Sequence, residues 1–283
     1  MAFPGGQQTN LNSELFAPLV TAAQFQAYES SVARQLVTVF DAPVGSGKSL
    51  QIPVWSSVSA NIITDEDVAP LTQTNTTSQT LTLTEHVVYH QVTDMLRDSS
   101  FSNVMSALGD QSGRAIAESM DTQAFAQFSN FGTNVGGAGE ELTVERILRA
   151  VAILRSNKLT GPFFAVVHPR AAYNVKKELA LAGGNNIPSL SNVGESVLSN
   201  FYIGQIAGCM VYESSLVPQV SGDAINGVFA PSAIAHALRG TVTMEEQRQA
   251  AARATDIVVK AVAGAALINA NHGVMIRTNI TMP

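Results

Sequence analysis

Between Ala42 and Ser49 the chain reads APVGSGKS, a small residue, four of any kind, then Gly-Lys-Ser. Such a loop holds nucleotide phosphates when a strand feeds it and a helix leaves it. The first helical amides and the lysine cradle the phosphates, and the serine hydroxyl holds magnesium. The next residues deny this loop its helix. Leu50, Ile52 and Val54 alternate with Gln51, Pro53 and Trp55, and Pro53 stands where the first helical turn needs an amide donor. No later strand supplies the magnesium-holding acid, since FFAVV runs into His168 and Pro169. Gly45 and Gly47 are therefore expected to bend the chain at the base of a hairpin, with Lys48 solvated.

The other chemical candidates are weaker. His86 and His90, with Glu85 beside them, could seat zinc on a helix. The surrounding Thr/Val alternation marks a strand, which sets rings four residues apart at about 13 Å, too far to share a metal. Asp65, Glu66 and Asp67 lack the regular ligand spacing of a calcium loop and read as a solvated turn. There is no G-x-S-x-G elbow, and the lone Cys209 sits in an apolar strand pattern, as a buried thiol would. No catalytic, cofactor-binding or metal residues are assigned.

Composition points away from several partners. Of 283 residues 46% are apolar and only 13% charged, about half the usual charged share. Free monomers need surface charge to stay dispersed, so a surface rich in Thr, Ser, Asn, Gln, Ala and Gly suits burial against other proteins. A net charge of −6 without any Lys/Arg-rich run argues against a nucleic-acid groove. The single cysteine excludes an internal disulfide. MAFPGGQQTN lacks the regions of a signal peptide, and the apolar run Ile257 to Ile268 is interrupted by Lys260 and too short to span a bilayer. A cytosol-like compartment without a membrane is expected.

The elements that must carry these residues follow from periodicity. Residues 1–13 read as a polar arm. From Glu14 to Phe40 the spacing is helical early and extended late. Two β-branched-rich stretches, from Leu50 and from Thr80 to Val92, flank the acidic tip TDEDVAP, as a long projecting hairpin would. Its unpaired edges need a neighbour. From Phe101 to about Phe131 a helix is expected, about 45 Å long. Its stripe is Phe101, Val104, Met105, Leu108, Ala115, Ile116 and Ser119, and Asp98, Ser99 or Ser100 caps its start. Further on, Val144 to Ser156 is a helix capped by Thr143, FFAVV a buried strand, and Pro169 opens another helix. A loop from Gly183 to Asn200 follows, then the strand GVFA, a helix from Pro231 to Leu238 and strands to the C-terminus.

That order resembles the major capsid proteins of tailed bacteriophages, with the Hong Kong 97-type α+β shell fold. TLTLTEHVVYHQVTDMLRDSSF looks like the family's strand entering its spine helix, and AIAESMDTQAFAQF like the later part of that helix. VVHPRAAYNVKK, IGQIAGCMVYESSLVP, GVFAPSAIAHAL and AGAALINANHGVMIRT resemble successive stretches of its axial and peripheral domains. The resemblance implies an N-terminal arm at 1–43, an extended loop at 44–84 and a peripheral domain with the spine helix at 85–142. It places an axial domain at 143–238 and return strands at 239–283. It also implies a structural protein rather than an enzyme, which self-assembles into pentamers and hexamers of an icosahedral head around double-stranded DNA. A separate scaffolding protein, a portal and decoration proteins are its implied partners, and the virion, assembled in the host cytoplasm, its location. No cofactor is implied. Because Ser49 to Thr84 contains no lysine, the covalent loop cross-link of some members is not expected. The alternatives are an encapsulin-type compartment shell and a nucleotide hydrolase using Lys48.

The hydrolase alternative is tested by ATP turnover of the purified chain and of Lys48→Ala. The expected outcome is no Lys48-dependent rate; a rate that Lys48→Ala removes would restore the phosphate loop.

Overall fold

The computed structural model describes residues 31–281 except 44, 46, 57, 64–67, 69–70, 100–103 and 183–201. The polar arm, the acidic turn Asp65–Asp67, the cap candidate Ser100 and the loop from Gly183 to Asn200 lie outside the described residues.

The first described turn, α1 (Ala33–Leu36), leads into the short strand β1 (Thr38–Asp41). After the glycine bend come β2 (Ser49–Trp55) and β3 (Thr76–Thr82), among the described residues paired only with each other, antiparallel, from Ser49↔Thr82 to Trp55↔Thr76. This is the expected hairpin. β4 (Thr84–Thr93) continues the chain into a four-stranded sheet of order β1-β11-β12-β4, where β11 is Ile234–Gln249 and β12 is Ala254–Leu267. A second, mixed sheet has the order β5-β13-β10-β6-β8-β7, with β9 paired to β10. Its strands are β5 (Thr133–Asn134), β6 (Phe163–Val167), β7 (Tyr202–Ile206), β8 (Cys209–Glu213), β9 (Gln219–Val220), β10 (Asp223–Phe229) and β13 (Gly273–Asn279).

The long helix lies across the four-stranded sheet. After a short helix α2 (Asp94–Ser99), which absorbs the cap candidates Asp98 and Ser99, α3 runs from Val104 to Phe125 and tightens into a 3-10 turn at Ala126–Asn130. Ile116, Met120 and the partly buried Leu108 pack on Val92, Leu238, Val242, Ile257, Val259, Ala261 and Ala263. The expected stripe needs two corrections, since Ala115 and Ser119 are exposed while Gly109, Ser112, Gly113, Ile116 and Ala117 form the buried face; Phe101 lies outside the described residues. Small residues let the helix axis settle close to the sheet, so burial here does not follow hydrophobicity alone.

α3 also organises the rest of the core. Phe128 stacks obliquely between Phe125 and Phe229, with ring centroids 5.3 and 5.4 Å away. α4 (Val144–Ser156) buries Ile147, Ala150, Val151 and Leu154 in the same core, and the Thr143 hydroxyl accepts the Arg146 amide at 3.4 Å, the expected cap. α5 (Pro169–Ala182) begins at Pro169 as expected. The strand GVFA extends to all of β10, buried at every residue.

One expectation fails. Pro231 to Leu238 is not a helix; a 3-10 turn at Pro231–Ala233 gives way at Ile234 to β11. Ala235 to Leu238 pair with β1 on one side and β12 on the other. Alanine's helical preference over ordinary residues is at most about 0.7 kcal/mol, too little to oppose two ladders of hydrogen bonds.

His236 sits in that stretch, 1% exposed, facing the seam between α3 and the sheet. Neither ring nitrogen finds a hydrogen-bond partner among the described residues. Burial pushes its pKa from the ordinary 6.5 down to about 4, and the charges of Arg34 and His86 push the same way. A folded-state pKa below the unfolded one contributes stability that is complete above about 6.5 and lost as pH falls through about 4. His236→Leu is therefore expected to flatten denaturant-measured stability between pH 7 and 4 by about 3 kcal/mol. An unchanged pH slope would contradict this. Ala115→Pro, at an exposed mid-helix position, removes one backbone bond and is expected to cost about 3 kcal/mol or more. Unchanged thermal stability would show that α3 is misplaced.

Candidate functional site

The hairpin is the part of the fold that reaches away from the body, and its root is built tightly. The Leu83 amide donates to the Lys48 carbonyl at 2.8 Å, closing the ladder where β3 becomes β4. Arg239 donates to the carbonyl of Gly47, pinning the bend to β11. Gly47 itself has φ +76°, a left-handed conformation that a glycine takes without strain. β3 then passes directly over β12. A Cβ on Gly264 would lie 2.3 Å from the Thr82 carbonyl oxygen and 2.9 Å from a Leu81 methyl, so only glycine admits the crossing. Leu81, Ile52 and Leu83 are buried there with Ala235, Ala237 and the partly buried Phe40 and Leu50.

Toward the tip the apolar sequence continues but its cover stops. Ile62 is fully exposed, Val68 92% and Leu71 87%, and Trp55 and Val58 are also largely exposed. Single exposed apolar residues are ordinary, but a series of them along one projecting arm marks a surface made to be covered. β2 and β3 pair with no third strand among the described residues, so both outer edges are open as well.

The chemical candidates resolve differently. Lys48 is exposed at the turn preceding β2, and the residues after it form a strand, so the helix required by a phosphate loop is absent. His86 and His90 lie on β4 as expected and face α3 separately. His86 Nδ1 is 2.7 Å from the Ser119 hydroxyl, and His90 Nε2 is 2.9 Å from that of Ser112. Ser112 donates its own proton to the Leu108 carbonyl at 2.6 Å, so its oxygen accepts from His90 Nε2. These contacts rivet the helix to the strand. Burial lowers the pKa of His86, opposed by its hydrogen bonding to the Gln123 side chain and the Ala263 backbone. Among the described residues no three His, Cys, Asp or Glu side chains gather at metal-binding distance. Cys209 is buried and its thiol pushed up to about 12 by burial, a poor nucleophile at neutral pH.

Two arrangements were not legible from sequence spacing. Ser232, His272 and Asn269 line one wall of an open cleft between β2 and the body, in an order that suggests nucleophile, base and orienter. The protons are placed the wrong way. Asn269 Oδ1 accepts the Asn271 amide at 3.0 Å, which turns its NH2 toward His272 Nε2, 3.0 Å away. Nε2 is then an acceptor, so Nδ1 carries the proton and donates to the Ser232 hydroxyl at 2.8 Å. An imidazole donating to the serine cannot take its proton.

The second arrangement ties the chain entering α1 to the long helix. The Asp121 carboxylate accepts the Ser31 hydroxyl at 2.6 Å and the Val32 and Ala33 amides at 2.9 and 3.2 Å. Desolvation raises its pKa, opposed by these same bonds. Neither arrangement has a signal in the sequence, because each joins residues distant along the chain.

The sequence matches the family model described as phage capsid protein over residues 76–276. A search of curated proteins finds no match. Solved structures with this fold include the capsid of the cyanophage P-SCSP1u, 15% identical, covering 86% of each chain with a TM-score of 0.65. The capsid of Ralstonia phage GP4 is 11% identical, covering 87% of this chain and 88% of its own, with a TM-score of 0.67. Mycobacterium phage Che8 gives 19% identity, 81% and 84% coverage and a TM-score of 0.62.

Proposed function

The chain belongs to the phage capsid protein family and is a structural protein of the virion shell, and from that premise we propose how its parts serve assembly. Copies of the chain form pentamers and hexamers that close an icosahedral head around double-stranded DNA. The observation that carries this reading is the hairpin, whose apolar side chains at Ile62, Val68 and Leu71 find no cover among the described residues of their own subunit. Laid over a neighbouring copy, that arm buries its side chains and ties one subunit to the next. Repeated head-to-tail contacts of this kind close into rings, and many modest contacts per subunit make the whole shell stable.

In this proposal residues 1–43 are the arm, 44–84 the extended loop, 85–142 the peripheral domain and 143–238 the axial domain, with 239–283 completing both. The long helix α3 stiffens the peripheral part. A separate scaffolding protein guides assembly in the host cytoplasm, and a portal and decoration proteins complete the head. The net charge of −6 keeps the wall from gripping packaged DNA. The role is structural, with no reaction assigned to Lys48 or to the Ser232–His272 pair.

Removing residues 59–74 tests the reading. The truncated subunit is expected to fold, judged by its circular dichroism and melting, and to form no closed particles by electron microscopy. Normal particles from the deletion would refute the role of the loop.

A further inference from the structure

The four-stranded sheet ends on β4, and among the described residues no strand pairs the outer edge of Thr84–Thr93. Exposed edges are usually guarded by charge, proline or short length. This one is ten residues long, has no proline, and carries Glu85 as its only charged side chain. Val87 and Tyr89 are 52% and 56% exposed on the face away from α3. The sequence around Val88 is also close to a mirror image: Glu85-His86-Val87 precedes it, and Tyr89-His90-Gln91 follows it.

We propose that two copies of the chain pair antiparallel through their β4 edges, about a two-fold axis at Val88, joining two four-stranded sheets into one. A two-fold contact requires residue i to meet j while j meets i. Centred on Val88, Val87 of each copy lies opposite Tyr89 of the other, His86 opposite His90, and Glu85 opposite Gln91. A β-branched residue beside an aromatic ring is a favourable cross-strand pair. The Gln91 amide donates one N–H to Asp256 at 2.9 Å, and its second N–H can donate to the partner's carboxylate. Centring one residue earlier would set His86 against Val88 and Glu85 against Tyr89, losing each match.

The helix layer is complementary about the same axis. Ser119 stands over His86 and Ser112 over His90, so α3 runs antiparallel to β4 and Ala115 lies midway, level with Val88. Ala115 is exposed, as are Gln111, Arg114 and Glu118, which line a shallow concavity with Ala107 and Asp110. The axis brings the two α3 helices together at Ala115, where a single methyl permits close approach. This contact deepens the shell reading, on which it rests, by naming a surface through which two subunits meet.

The test is a cysteine placed on the axis. Opposed Cα atoms in an antiparallel pair lie about 4.5–5.5 Å apart, within disulfide range. The native Cys209 is buried and takes no part. Full-chain Val88→Cys, assembled into particles, treated with a mild oxidant and run without reductant, is expected to appear mostly as covalent dimer. Exposed Ser129→Cys, away from the edge, is expected to stay monomeric. Val87→Lys, on the exposed face, is expected to melt at the wild-type temperature yet form no dimer contact. Closed particles in which Val88→Cys stays uncrosslinked would overturn the pairing and leave the shell reading standing, whether that edge is open or taken by another segment. Crosslinked dimers without particles would support the pairing and remove the shell reading.

Discussion

The direction of the hairpin depends on one close contact, the Thr82 carbonyl lying over Gly264 where any side chain would collide. That crossing lets β3 leave the plane of the four-stranded sheet while β4 stays within it, so one chain reversal serves two structures. The root is then locked by Leu81 and Ile52 packed on the small side chains Ala235 and Ala237. Beyond the root the same apolar sequence continues into solvent. A subunit with 13% charged residues has little polar surface to offset this exposure, and association is the physical remedy.

The elements with strong, local signals were legible in the sequence. Pro53 and the period-two alternation from Leu50 placed a strand where a phosphate loop needs a helix, and the hairpin follows from that. Thr143 and Pro169 marked helix starts by chemistry that acts within one turn. The failure at Pro231–Leu238 has a tertiary cause. Ala235 and Ala237 read as helix formers, but the hairpin root packs on them and β1 and β12 pair with their backbone, so tertiary contacts decide their structure. Ala115 was misplaced on the buried stripe for a related reason: the contact face of α3 holds Gly109, Ser112 and Gly113, so small size, not hydrophobicity, selects it.

Polar groups in this protein serve alignment. His86 and His90 look like a metal pair on paper, yet each finds its own serine on α3 and fixes the register of helix on strand. Ser232, His272 and Asn269 form a chain of hydrogen bonds whose proton order leaves the serine unactivated. Asp121 holds the segment entering α1 by its amides, a contact invisible in sequence because it joins residues about ninety positions apart. His236 is the exception, a buried imidazole with no partner among the described residues, and it makes the seam sensitive to acid.

The central claim is that the outstretched arm is completed by a sister subunit. An electron cryo-microscopy map of assembled particles tests it most directly. The account requires Ile62, Val68 and Leu71 to lie buried against an adjacent copy, with the crossing at Gly264 unchanged. A map with those side chains facing solvent, or with the arm packed onto its own subunit, would contradict it.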